Sequence, residues 1–179
     1  MKLLSPIELN PNTCLVCLPT WNTNRTLSSS SSSSSNDKLC TVTGYGFQHE
    51  CNYCSCLILT LFVWLIFVCF VLAGPIALRI REASIPIVDE QECIMKINSV
   101  TEKQFILPAS SFCAGGGHGG NDACQGDGGS GLVCNIDGYY ELNGLVSWGF
   151  GCGRNGVPGV YVKILSFIGW INQIVSTNA

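Results

Sequence analysis

Side chains able to do chemistry gather in two short stretches of this chain of 179 residues. In the first, Asp122, Asp127 and Ser130 stand among glycines around Cys124 and Cys134, with His118 just upstream in the run Gly115-Gly116-Gly117-His118-Gly119-Gly120. A serine hydroxyl becomes a nucleophile when an imidazole takes its proton and a carboxylate orients that imidazole. His118, on so glycine-rich a loop, reads as a solvated side chain rather than as that base. In the second stretch His49, Cys51, Cys54 and Cys56 have the residue types of a metal site. The distant second pair that a structural zinc site needs is missing, so neither a metal nor a cofactor is expected.

The stretch Asp122-Ala123-Cys124-Gln125-Gly126-Asp127-Gly128-Gly129-Ser130-Gly131-Leu132-Val133-Cys134 resembles the active-site loop of the trypsin-like serine proteases. There, Asp-x-Cys-Gln-Gly-Asp precedes Ser-Gly-Gly-Pro and a further Cys. Ten positions separate Cys124 from Cys134, as in the family, so the two align without gaps. In that register the nucleophile position is Gly128, and Ser130 lies two residues late. The N–H groups of Gly126 and Gly128 could still shape an oxyanion hole. Alone, such a hole leaves roughly 10³ to 10⁴ over water, after a loss on the order of 10⁶ when the nucleophile goes. Ser130 would have to meet a tolerance of about half an Å from the wrong place on a tethered turn. The likeness also implies that Asp122 forms the base of a specificity pocket for Arg or Lys, kept open by Gly149 and Gly159. A buried carboxylate there would hold a cation by charge-assisted hydrogen bonds, or the pocket is inherited and empty. Asp127 would be the partner of an N-terminus freed by activation cleavage.

The elements that must hold these residues also follow the family. Residues 2–46 and 74–176 read as a partial trypsin-like peptidase domain. The fold class is all-β, an antiparallel β-barrel, mainly the second barrel of the two-barrel fold, with a C-terminal helix. Residues 2–19 resemble the segment leaving the first barrel, so the family's catalytic His and Asp would fall before Met1. Cys17 matches a cysteine that in many members tethers an upstream chain, whereas Cys14 reads as a packed free thiol. Cys40 to Gly46 resembles the strand opening the second barrel. Residues 79–88 alternate like a half-buried strand, with Pro86 at an edge or strand end. Asp137-Gly138 marks a hairpin, Gly144 to Gly149 resembles the strand beside bound substrate, and residues 158–162 read as the last barrel strand. Ser166 is expected to cap a helix whose Phe167, Ile168, Trp170, Ile171, Ile174 and Val175 pack in the core. The resemblance implies the disulfides Cys40–Cys134, Cys93–Cys113 and Cys124–Cys152.

Two stretches interrupt this pattern. Residues 27–36 form a Ser-rich loop unable to bury apolar area, close after the glycosylation acceptor pattern Asn24-Arg25-Thr26. Residues 47–73 form an apolar insert, with no charge from Cys51 to Leu78 and a nearly unbroken apolar run from 57 to 73. Such a run is long enough to span a bilayer. Arg79 and Arg81 would then place its C-terminal side in the cytoplasm, where disulfides do not persist. A translated intron is favoured, and a transmembrane-like segment is the alternative. The charged fraction, 12%, falls below a usual ~25%, and the net charge of -3 argues against a nucleic-acid partner. The disulfides imply secretion. The first residues lack a signal peptide's apolar core, which suggests a fragment of a longer protein.

Gly at the nucleophile position, followed later by Gly144-Leu145-Val146-Ser147-Trp148-Gly149-Phe150-Gly151-Cys152, resembles the masquerade-type serine protease homologues of arthropods. That likeness implies a secreted, non-catalytic protein acting by protein binding, in cell adhesion or in regulating a protease cascade. Its partners would be extracellular matrix, receptor or protease-cascade components, with a membrane involved only if residues 57–73 are a genuine span. The alternatives are a trypsin-like endopeptidase cleaving after Arg or Lys, and a membrane-anchored protein.

Overall fold

The computed structural model describes residues 3, 5–20, 39–47, 77–117, 122–136 and 138–177. The Ser-rich loop, the Asn24 acceptor pattern, the His49–Cys56 cluster, the apolar run 57–73 and His118 lie outside the described residues. Six strands close into an antiparallel barrel: β1 (Leu39–Gly44), β2 (Arg81–Val88), β3 (Ser111–Ala114), β4 (Gly131–Ile136), β5 (Tyr139–Trp148) and β6 (Gly159–Lys163). Their order around the barrel is β1-β2-β3-β6-β5-β4. Closure leaves no free sheet edge among them.

Alternation in the sequence decides what faces inward. In β1, Cys40 and Val42 are buried while Leu39 and Thr43 are exposed, as the period of two requires. They pack with Ile85, Phe112, Leu132 and Tyr161 in the barrel core. Cys40 stands directly opposite Cys134 across β1 and β4, and the two are joined by a disulfide. Pro86 ends one pairing rather than the strand. Residues up to Pro86 pair with β1, whereas Ile87 and Val88 pair with β3. A residue without an N–H fits where the ladder changes partner, and its carbonyl accepts from Gly115 N at 2.9 Å. The β4–β5 hairpin turns where the Asp-Gly pair predicts it. Ile136 pairs with Tyr139, Gly138 has φ 85°, and its N–H donates to Asn135 Oδ1 at 2.9 Å.

Helix α1 (Glu90–Asn98) is capped by Asp89, whose Oδ2 accepts from Gln91 N at 3.0 Å. Acidic Glu90 and Glu92 in its first turn and Lys96 in its last complement the helix dipole. Its buried Cys93 and Ile97 pack with Val88, Cys113 and Val160, and the Cys93–Cys113 disulfide fixes it to β3. A 3₁₀ turn, Ile164–Phe167, leads into α2 (Ile168–Thr177).

Three expectations are corrected here. Ser166 lies within the 3₁₀ turn instead of capping the helix, because the chain leaves β6 through a tighter turn first. In α2 only Ile168 is buried, and Phe167, Trp170, Ile174 and Val175 are exposed. Most of the helix's apolar side chains stay exposed, so helical spacing here does not mean core. Cys14 is likewise exposed, not packed, and both it and Cys17 are free thiols.

Candidate functional site

The loop between Cys124 and Ser130 is held from inside by Asp127, which is 8% exposed. Its Oδ1 accepts from Gly46 N at 2.7 Å and its Oδ2 from Cys124 N at 2.9 Å. A buried carboxylate must be satisfied by donors, and here the two backbone N–H groups bind the loop to the end of β1. The fit demands glycine at the far side. A Cβ at Gly44 or Gly46 would overlap the Asp127 carboxylate. The Cys124–Cys152 disulfide ties the same loop to the segment after β5.

Beside this loop opens a cavity of about 480 Å³, lined by Asp122, Gly126, Gly128, Ser147, Gly149 and Gly159 among others. Asp122 Oδ1 accepts from Ala123 N at 2.8 Å and its Oδ2 from Gly153 N at 3.4 Å. Burial pushes its carboxyl up to about 6, and these two backbone hydrogen bonds partly oppose that rise. Gly149 and Gly159 face one another. A Cβ at Gly149 would come within 3.6 Å of the Gly159 Cα, and one at Gly159 within 3.9 Å of Asp122 Oδ1. Side chains at either position would narrow the cavity above the carboxylate. The structure thus brings Asp122, Gly149 and Gly159 together around one space, next to Gly126 and Gly128.

Gly126 has φ 102°, a conformation that favours glycine. Around Gly128 there is room: an added Cβ would meet nothing within 4 Å. Ser130 has its backbone engaged, donating to Asp127 O and accepting from Val146 N, each at 2.9 Å. Among the described residues no histidine stands near it. No group of His, Cys, Asp or Glu among the described residues could hold a metal ion. None of their helices is long and apolar enough to cross a membrane.

Several cavity residues escape a reading of motifs. Trp148 stands at the cavity wall, with Phe105 and Phe150 each 5.5 Å away edge to face. Tyr161 lies beneath, stacked on Phe112, with its hydroxyl buried and unpartnered among the described residues. Burial first, and then the charges of Asp122 and Asp127, push that phenol well above its ordinary range. Gly115, at φ 90°, lets the backbone pass Asp122, since a Cβ there would lie 2.8 Å from Oδ1. Its place in a run of glycines was the available signal.

The family model described as Trypsin matches residues 73–171. The chain is 57% identical over 178 residues to Protein masquerade of Drosophila melanogaster, covering 99% of this chain and 14% of that protein. It is 54% identical over 72 residues to the Inactive CLIP domain-containing serine protease A3 of Aedes aegypti, or 40% of this chain and 15% of that protein. It is 30% identical over 177 residues to the Phenoloxidase-activating factor 2 of Galleria mellonella, or 97% of this chain and 49% of that protein. The chain therefore spans less than half the length of each of these relatives.

Proposed function

The chain belongs to the trypsin family, and from that premise we propose that it is a non-catalytic serine protease homologue that works by binding other proteins. One observation carries the reading. The family's nucleophile position aligns with Gly128, while the neighbouring cavity keeps a carboxylate, Asp122, below two facing glycines. Attack on a peptide carbonyl needs a hydroxyl or thiol at that place, whereas recognition of a basic side chain needs only the cavity and its charge. The likeness to a relative named as inactive supports the same view.

In this reading Asp122 meets the cation of an Arg or Lys side chain presented by a partner, and Gly149 and Gly159 leave room for its stem. The protein acts outside the cell, in adhesion or in regulating a protease cascade, where the three disulfides among the described residues persist. Its partners are matrix, receptor or cascade proteins. A fluorophosphonate probe that labels active serine hydrolases distinguishes this from an endopeptidase. No labelling of the full chain is expected, and stoichiometric labelling would establish a working nucleophile instead.

A further inference from the structure

Among the described residues six cysteines are joined in three disulfides, while Cys14 and Cys17 are free and exposed. The two stand three apart in Cys14-Leu15-Val16-Cys17. A dithiol at this spacing exchanges with disulfides when its two sulfurs are able to meet. Four of the bonded cysteines, Cys40, Cys93, Cys113 and Cys134, are no more than 6% exposed. The pair near the start is therefore the one that a disulfide in solution reaches.

Whether the sulfurs meet depends on the backbone between them. Fully extended, three residues set Cα atoms about 10 Å apart, and a disulfide needs at most about 7 Å, so an extended stretch must bend. The structure leaves it free to do so. Cys17 is held on β5, its N–H donating to Tyr140 O and its carbonyl accepting from Leu142 N, each at 2.9 Å. Thr13 belongs to a local turn, exchanging backbone hydrogen bonds of 2.9 and 3.2 Å with Asn10. Between these points Cys14, Leu15 and Val16 make no backbone hydrogen bond among the described residues, and none ties the Asn10–Thr13 turn to the barrel. Leu15 is 81% exposed and Val16 45%, so bending disturbs no core packing. Cys14 Sγ makes one weak contact, 3.9 Å from Asn10 O.

We propose that Cys14 and Cys17 form a thiol–disulfide exchange pair for small disulfides of the glutathione type, an activity separate from the binding of proteins at the cavity. The thiolate of one cysteine attacks a sulfur of the incoming disulfide. A mixed disulfide forms, and one small thiolate leaves and takes up a proton. The second cysteine then loses its proton and attacks its neighbour's sulfur. The Cys14–Cys17 bond forms, the mixed disulfide breaks, and the second small thiol departs. The two cysteines lose two electrons in all, and the incoming disulfide gains them.

The test equilibrates the full chain with about 0.1 mM glutathione disulfide, roughly tenfold below the millimolar level at which so short a link presents one thiol to the other. Remaining thiols are alkylated and proteolytic peptides are mapped by mass spectrometry. The segment should carry a Cys14–Cys17 bond. Glutathione retained on it should be about tenfold less than on Cys14→Ser, where Cys17 has no resolving neighbour. Cys17→Ser should trap glutathione on Cys14 in the same way. Both substituted side chains are exposed, and a circular dichroism spectrum checks each fold. Equal glutathione retention in the unsubstituted chain and both variants would overturn the inference. A bond from either thiol to another cysteine of the chain would overturn it too.

Discussion

Asp122 carries its charge in a partly desolvated place, and that fixes how it responds to pH. Its carboxyl titrates at about 6, against an ordinary value of 3.8, chiefly because burial disfavours the ionised form. The folded state then holds a proton more tightly than the unfolded chain between those values, so this group adds stability as pH falls from about 6 toward 3.8. Asp122→Asn should raise the melting temperature near pH 7.5 and change it little near pH 4, as read by calorimetry. Binding of an Arg peptide should weaken as pH falls through and below about 6, because protonation removes the charge the guanidinium meets. A second residue gives an independent check. The Tyr161 hydroxyl is buried without a partner among the described residues, so Tyr161→Phe should leave stability unchanged or raise it by up to about 1 kcal/mol. A clear loss in urea denaturation would reveal a partner. At this scale, the cavity's carboxylate and facing glycines were legible because a family motif sits on them. The Gly153 N–H was not, since close approach of backbone to carboxylate leaves no pattern of its own.

Among the elements, β1 and the site loop act as a unit through Asp127. Its carboxylate accepts from Gly46, just past β1, and from Cys124 at the loop's start. A methyl at Gly46 would overlap the carboxylate. Gly46→Ala should therefore cost about 1–3 kcal/mol by overpacking, visible as a lower urea midpoint with an unchanged slope. The strands themselves were largely readable. Cys40 and Val42 alternate with outward residues, Asp137-Gly138 marks the hairpin, and the disulfide pairs follow from the family likeness where spacing alone leaves many connectivities open. The terminal helix was misread for a physical reason. Periodic apolar residues show that a helix has a greasy face, but not that the described structure covers it. Trp170 and Val175 are 61% and 62% exposed. The Ser166 cap failed because a 3₁₀ turn and a helix start share the same signals.

For the molecule as a whole, the exposed apolar surface is the outstanding feature. Leu9, Leu15 and Val16 near the start are exposed, as are Tyr139 at the hairpin and Trp170 and Ile174 in α2. Large contiguous apolar patches favour association. The full chain on its own should self-associate, and sedimentation velocity should show species heavier than a monomer at micromolar concentrations. A stable monomer across that range would contradict this. The likeness to Protein masquerade across 14% of that protein's length placed the family.

The central claim is that the cavity binds basic residues without cutting beside them. It is tested most directly by incubating the full chain overnight with acetyl-Ala-Ala-Arg-Ala-Ala-amide and following the peptide by mass spectrometry. The peptide should remain intact throughout. Steady release of acetyl-Ala-Ala-Arg, lost when Ser130 is replaced by Ala, would show a working nucleophile beside Gly128 and contradict the account.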